Sequence, residues 1–307
     1  MNPPATRAGY VTLVGRPNAG KSTLLNALVG EKLSIVTSKA QTTWQRVTGI
    51  STSATAQLIF LDTPGLLEVK DLLQRSMLAA ALEALHEADV VLLVLDASDH
   101  WSNSNRRFIE GTLSKRGSVP VVAAINKVDL AKADAVRELS DWVEKGLGGR
   151  AFPVTALTGE GIEPMRETLE ELLPESPFLL PADEIATEPV RFFVAELVRE
   201  TIFERYHQEI PYAVFCQVEE FRENEDPVYI QVTAYVERNS QKRILIGAKG
   251  AAIRELGREA RIKIESFIGQ RVYLDLWVKV LPGWRKRRAD LQRLGFDVPG
   301  ENEATTS

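Results

Sequence analysis

Five short apolar runs punctuate the first half of the chain: Tyr10–Val14, Gln57–Leu61, Val90–Leu95, Val119–Ile125 and Phe152–Val154. Stretches of helical period lie between them. The runs show little alternation of apolar and polar positions, as expected of strands buried on both faces. Strand and helix in alternation as far as Leu173 predict an α/β domain with a mostly parallel sheet and helices on both faces. Ligands of such sheets bind beyond the carboxyl ends of the strands, so the residues that follow each run carry the chemical interest.

After Leu173 the pattern changes. Four prolines (Pro174, Pro177, Pro181 and Pro189) and several acids predict a linker over 174–189. A helix from Val190 to about Tyr206 follows, then alternating runs at Ala213–Glu219 and Val228–Tyr235, a helix, a glycine-rich turn, a second helix and a closing strand at Val272–Val280. This order predicts a smaller α+β domain over 190–296, behind a first domain over 9–173. Residues 1–8 are expected to form an N-terminal tail, and the polar residues 297–307 a disordered one. A length of 307 residues fits two domains of ~100–200 residues each.

Composition narrows the classes. With 44% hydrophobic residues the chain can build two cores without staples. The single cysteine, Cys216, cannot form an internal bridge, and His86, His100 and His207 lack cysteines at zinc-ligand spacing. A reducing cytosol is the expected compartment. No apolar run approaches the ~20 residues that span a bilayer, and the N-terminus lacks the apolar core of a secretory signal. Charge is uneven: Arg238 to Arg293 holds 15 Lys/Arg against 5 Asp/Glu, a local +10, so a chain of net charge −5 carries −15 elsewhere. A basic segment on an acidic body suggests a polyanion partner.

The first strand is followed by Gly15-Arg16-Pro17-Asn18-Ala19-Gly20-Lys21-Ser22, which fits G-x-x-x-x-G-K-[ST], and Thr23 opens the apolar-periodic stretch behind it. Glycines let the backbone wrap phosphate, with loop N–H groups and the helix dipole pointing inward. Lys21 is placed to reach the β- and γ-phosphates, and the Ser22 hydroxyl to ligate Mg²⁺. Asp62-Thr63-Pro64-Gly65 closes the second run. There a carboxylate can hold magnesium and the Gly65 N–H can sense the γ-phosphate. Asn126-Lys127-Val128-Asp129 closes the fourth run. The Asp129 carboxylate can accept two hydrogen bonds from guanine N1–H and its exocyclic amine, a donor pair that adenine lacks. Asn126 would tie the base loop to the phosphate loop, while the Lys127 stem covers the base plane. Thr155-Ala156-Leu157 ends the last run, where the Ala156 N–H can meet guanine O6.

In order and position these four pieces resemble the translation-factor-related GTPases. The resemblance implies GTP and GDP as ligands, Mg²⁺ held by Ser22, Asp62 and a switch threonine, and hydrolysis of GTP to GDP and phosphate. Gln41-Thr42-Thr43 lies where the first switch belongs; Thr43 is the first choice for the switch threonine and Thr42 the alternative. Leu66 stands where Ras-like proteins carry the glutamine that orients the attacking water, and leucine cannot do that, so hydrolysis must rely on another group, a partner or an ion. Asn18 occupies the position that, in GTPases resembling this chain, helps bind a potassium ion. The catalytic set expected is therefore Lys21, Thr43, Gly65 and Asn18, with a slow intrinsic rate assisted by K⁺.

In the second domain, Gly247-Ala248-Lys249-Gly250 lies between two helical stretches, and the order helix, two strands, helix, turn, helix, strand resembles a type II K homology domain. That resemblance implies RNA whose backbone passes the glycine turn. Lys249 would contact phosphate, with Lys242, Arg243, Arg254 and Arg258 flanking it; Ile244 and Ile246 would floor the groove or serve as ordinary core. The basic run Arg285-Lys286-Arg287-Arg288, behind Trp284, reads as a solvated basic helix. From Gly9 to Phe296 the chain is similar to bacterial GTPases that pair one G domain with one K homology domain. For these the partner is the 3′ end of small-subunit ribosomal RNA on the pre-30S particle, bound by a monomer, with cytoplasmic location and peripheral contact with the inner face of the membrane. Trp44 in place of an arginine, Thr155 in place of a serine, and Leu67–Asp71 depart from that pattern.

Overall fold

The computed structural model describes residues 6–37, 39, 42–66 and 69–300. Gln41, Leu67 and Glu68, along with 1–5 and 301–307, lie outside the described residues. The chain divides into two compact units: one runs to Thr187 and the other from Glu188, with Ile35–Lys39 and Asp71–Leu73 grouping with the second.

The first unit is a six-stranded sheet in the order β2-β3-β1-β4-β5-β6. Its strands are β1 (Arg7–Val14), β2 (Val47–Thr52), β3 (Ala56–Asp62), β4 (Val90–Asp96), β5 (Val121–Asn126) and β6 (Arg150–Pro153). β1 pairs in parallel with β3 and β4, and β5 joins β4 to β6 in parallel. Among these described strands only β2, beside β3, runs antiparallel. Helices α1 (Lys21–Val29), α2 (Leu72–Glu87), α3 (Asn103–Leu113), α4 (Ala133–Trp142) and α5 (Ile162–Leu172) complete the unit. Leu92, Leu93, Val94 and Leu95 in β4 are wholly buried, so both faces of the centre are core. Each such side chain contributes about 1.5–3 kcal/mol by leaving water, which fixes the strand ends that carry the motifs.

Three expected boundaries change. β1 begins at Arg7, inside the stretch expected as a tail, because Arg7 N–H finds the Thr55 carbonyl at 2.9 Å and Ala8 N–H the Pro174 carbonyl at 3.3 Å. The expected linker is tied down over much of its length. Gln57, fully buried in β3, accepts the N–H groups of Leu179 (2.8 Å) and Leu180 (3.0 Å) on Oε1 and donates Nε2 to the Leu180 carbonyl at 2.9 Å. Ile50 N–H donates to Ile185 O at 2.8 Å. Finally, the chain is held past 296: Val298 is buried, and Arg288 donates to the carbonyls of Val298 (2.6 Å) and Pro299 (2.5 Å).

The second unit packs α6 (Val190–Arg205) and α8 (Ala251–Ile268) on one face of a sheet ordered β7-β8-β9: β7 (Phe215–Arg222), β8 (Val228–Val236) and β9 (Val272–Val280). α7 (Asn239–Ile246) precedes the glycine turn, and α9 (Arg288–Arg293) follows Trp284. β8 pairs antiparallel with β7 and parallel with β9. Val198 and Ile202 meet Ile230, Val232, Ala260 and Ile264 in the core. Trp284 is wholly buried, stacks with Phe296 and donates its indole N–H to Ala213 O at 3.3 Å. The basic run beyond it is a solvated face only in part: Lys286 and Arg287 are exposed, whereas Arg285 and Arg288 are half-buried. Arg285 donates to Tyr212 O at 3.0 Å, Arg287 to Pro282 O, and Arg288 to the terminal strap.

Candidate nucleotide and RNA sites

Four strand ends converge on the phosphate loop. Between β1 and α1 the chain turns through left-handed backbone at Asn18 (φ 70°) and Gly20 (φ 96°). Three glycines are required by close approach rather than by turn geometry alone. A Cβ on Gly15 would lie 2.4 Å from Val94 O, one on Gly20 2.2 Å from Asn126 Nδ2, and one on Gly65 2.7 Å from Pro17 N. The loop is thus pressed against β4, the guanine motif and the Asp62–Gly65 segment at once.

Lys21 is buried and donates Nζ to the Gly15 and Arg16 carbonyls, each at 3.3 Å. Burial holds its ammonium below the usual lysine range, opposed by the charge of Asp62. Asp62, at the end of β3, is 0% exposed. Its Oδ2 accepts from the hydroxyls of Ser22 (2.8 Å), Ser34 (3.0 Å) and Thr43 (3.4 Å), and Ser22 Oγ lies 3.0 Å from Thr43 Oγ1. Burial pushes the Asp62 carboxyl above its ordinary range, while Lys21 and the three hydroxyls pull it back. Its Oδ1 has no hydrogen-bond partner among the described residues. A buried carboxylate with one bare oxygen, beside the Ser22 and Thr43 hydroxyls, fits a hard divalent cation that brings phosphate and water as its remaining ligands. Thr42 is half-buried whereas Thr43 faces Ser22 and Asp62, so the structure brings Thr43, Ser22 and Asp62 together. Thr63 is turned inward, its hydroxyl donating to Leu13 O at 2.8 Å. Pro64 is buried, Gly65 follows against Pro17, and Leu66 N–H donates to Gly15 O at 3.0 Å while its side chain joins the core cluster that holds Val14 and Leu85.

On the base side, Asn126 ends β5 with 2% exposure. Its Nδ2 donates to Ala19 O at 2.9 Å and its Oδ1 accepts Ala156 N–H at 3.0 Å. One amide therefore bridges the phosphate loop to the Thr155–Leu157 segment. Lys127 takes left-handed backbone (φ 62°) and sends Nζ to Asn18 O at 2.8 Å and Asp96 Oδ2 at 2.6 Å. Asp129 sits exposed in the short helical turn Val128–Leu130, and Leu157 is exposed beyond buried Thr155 and Ala156. Thr23 continues α1 half-buried.

Three residues of this region escape sequence reasoning. Ser34 adds a hydroxyl to Asp62. Asn26, in α1, pins that serine by accepting Leu33 and Ser34 N–H and donating to Ser34 O, all at 2.9 Å. Asp96 ends β4. None sits in a motif of fixed spacing; for Asp96 the only signal is its place at a strand end.

In the second unit the glycine turn joins α7 to α8. Gly247 (φ 71°, ψ 177°), Lys249 (φ 50°) and Gly250 (φ 76°) all take positive φ. A Cβ at Gly247 would lie 2.6 Å from the Ala252 Cβ. Ala248 and Lys249 are exposed at its tip, and Arg254 donates to Lys249 O at 3.4 Å. Arg243 and Ile244 are exposed along α7, Lys242 and Ile246 half-buried, with Ile246 packed on the core. Arg258, exposed on α8, pairs with Glu255.

Comparison with known proteins follows this division. A family described as "50S ribosome-binding GTPase" matches residues 10–127, and one described as "KH domain" matches 209–285. GTPase Era of Carboxydothermus hydrogenoformans is 39% identical over 293 residues, covering 94% of this chain and 98% of the relative. GTPase Era of Mesorhizobium japonicum is 41% identical over 298 residues, covering 96% of each. The crystal structure of a point variant of Aquifex aeolicus Era bound to GDP·AlF4⁻ superposes with a TM-score of 0.90 at 37% identity, over 95% of this chain and 100% of that one. The same TM-score, identity and coverage hold for Era in complex with MgGDPNP and nucleotides 1506–1542 of 16S ribosomal RNA. With relatives this similar along nearly the whole of both chains, the protein belongs to the GTPase Era family.

Proposed function

We propose that this chain is a GTP-binding and GTP-hydrolysing switch whose second domain holds the 3′ end of small-subunit ribosomal RNA during assembly of the small subunit. The observation that carries the reading is the double role of Asn126, whose amide joins the phosphate loop to the Ala156 N–H that would meet guanine O6. The base edge is then read by Asp129, the base plane is covered by Lys127, and the phosphates are cradled by Gly15–Ser22 with Thr23 behind. Ser22, Thr43 and Asp62 would hold Mg²⁺, which supplies charge neutralisation on the phosphate oxygens. Lys21 and the Gly65 N–H stabilise charge developing on the γ-phosphate. Asn18 takes the K⁺-assisting place.

The RNA reading rests on the exposed Ala248-Lys249 tip between Gly247 and Gly250, flanked by Lys242, Arg243 and Arg254 and by the apolar Ile244 and Ile246. The RNA in the solved relative is 16S, and the match described as 50S-binding covers the first domain alone. A cytoplasmic monomer is part of this reading, with membrane contact limited to the surface; among the described residues no helix is long and apolar enough to cross a membrane.

Calorimetry on Mg²⁺-loaded protein tests the first half, and filter binding to the 3′-terminal segment of small-subunit ribosomal RNA the second. Expected are binding of GTP and GDP but not ATP, and RNA binding that changes between the GTP and GDP states. Equal affinity for ATP would overturn the guanine reading, and RNA affinity indifferent to nucleotide would overturn the switch.

A further inference from the structure

The ammonium of Lys127 has two anchors, and only one belongs to the phosphate loop. Parallel pairing sets Asp96, the last residue of β4, directly beside Asn126 at the end of β5, and Ala97 N–H closes that junction on Asn126 O at 2.9 Å. From there Asp96 Oδ2 reaches Lys127 Nζ at 2.6 Å, while Oδ1 accepts the N–H (2.9 Å) and hydroxyl (2.6 Å) of Ser98. The Asp96 carbonyl in turn takes the indole N–H of Trp101 at 2.7 Å. Both oxygens and the main chain of Asp96 are therefore fixed before any ligand arrives.

The lysine needs this restraint. Lys127 holds left-handed backbone, a conformation that side-chain-bearing residues avoid, and its four-carbon stem has many rotamers to lose. A carboxylate at 2.6 Å opposes both costs. The neighbouring ion pair, Arg16–Asp99 at 2.8 Å, ties the same turn to the phosphate loop, but its side chains are 35% and 46% exposed against 28% and 15% for Lys127 and Asp96. Solvent screening makes the outer pair the weaker one.

We infer that Asp96 is a positioning residue for guanine nucleotide binding: its carboxylate pre-sets the Lys127 stem over the base plane. The inference rests on the guanine reading above. In this role Asp96 acts through Lys127 and leaves base-edge selection to Asp129.

Asp96→Asn is the test, because the amide oxygen can still accept from Ser98 while the amide nitrogen cannot accept from Lys127. GDP affinity is measured in a double-mutant cycle with Lys127→Ala. Asp96→Asn should weaken GDP binding about tenfold in the otherwise native chain and less than about threefold in the Lys127→Ala chain. Equal loss in both backgrounds, or none in the native one, overturns the inference. Inorganic tripolyphosphate, which has no base, provides a second reading: Asp96→Asn should leave its affinity unchanged, and a parallel loss would mean a general distortion of the loop. Thermal melting of the nucleotide-free variants checks that each is folded. The GTP-over-ATP preference of the unmutated chain tests the guanine reading separately, so failure of one is not mistaken for failure of the other.

Discussion

Asn126 Nδ2 lies 2.9 Å from Ala19 O, and the same nitrogen occupies the space that a side chain at Gly20 would need, 2.2 Å from its ideal Cβ. The phosphate grip and the base-reading loop are thereby assembled on one buried amide. Asn126→Ala strips two buried hydrogen bonds and orphans the Ala156 N–H, at about 1–3 kcal/mol for each unsatisfied group. Titration calorimetry should show GTP and GDP affinity falling by about ten- to a hundredfold, and the melting temperature of the nucleotide-free protein should fall too, by about 2–4 °C for each kcal/mol lost.

Leu66 tests how hydrolysis is organised. The side chain is 3% exposed and belongs to the core cluster that holds Val14 and Leu85, so it cannot turn toward the γ-phosphate without opening the core. Leu66→Gln should therefore not accelerate single-turnover hydrolysis, and burying the amide should cost about 1–3 kcal/mol of stability. A rate gain of about tenfold or more would show that the position is free to serve the attacking water.

With no glutamine in that place, hydrolysis has to draw on another group, a partner or an ion, and the proposed K⁺ role of Asn18 can be tested directly. Hydrolysis measured in KCl should exceed that in NaCl, and Asn18→Ala should abolish the difference while GDP binding persists. Identical rates in the two salts for the unmutated chain would remove Asn18 from the catalytic set.

Lys249 projects from an exposed tip between two glycines. Lys249→Glu should weaken binding of the ribosomal RNA segment and lower the slope of log affinity against log salt by about one. GTP affinity, read in the same preparation, should not move.

Cys216 offers a probe of the second core. It is the chain's single cysteine, it lies 4% exposed among Val214, Ala234 and Val236, and burial pushes its thiol well above the ordinary range. Thiolate is the reactive form, so iodoacetamide should leave the native protein unlabelled at about pH 8 and label it stoichiometrically once it is unfolded. Rapid labelling of native protein would contradict the packing described for β7.

The parallel core is legible because strands such as Val90–Asp96 are apolar throughout and end at charged motif residues. β2 is missing from the expected strands: VTGIST pairs with β3 alone among the described strands, and an edge strand needs little apolar sequence. The phosphate and guanine motifs stand out because their spacing is fixed by one loop each. Ser34, Asn26 and Asp96 are invisible for the opposite reason, being brought to the site from separate elements by the sheet and by α1. The prolines of 174–189, with Arg285 and Arg288, mislead through composition, which reports what solvates easily and not what backbone groups a neighbouring strand can satisfy.

Gln57 shows what composition hides. Its amide sits where both Leu179 and Leu180 need main-chain partners, so a proline-rich, acidic stretch that looks like an open protease target is a clasped strap on the first unit. Limited digestion should spare the peptide bonds around these leucines, and a single Gln57→Leu change, close to neutral in volume, would open that part of the strap to the protease while the bonds at Ser176 and Ile185 still hold its ends.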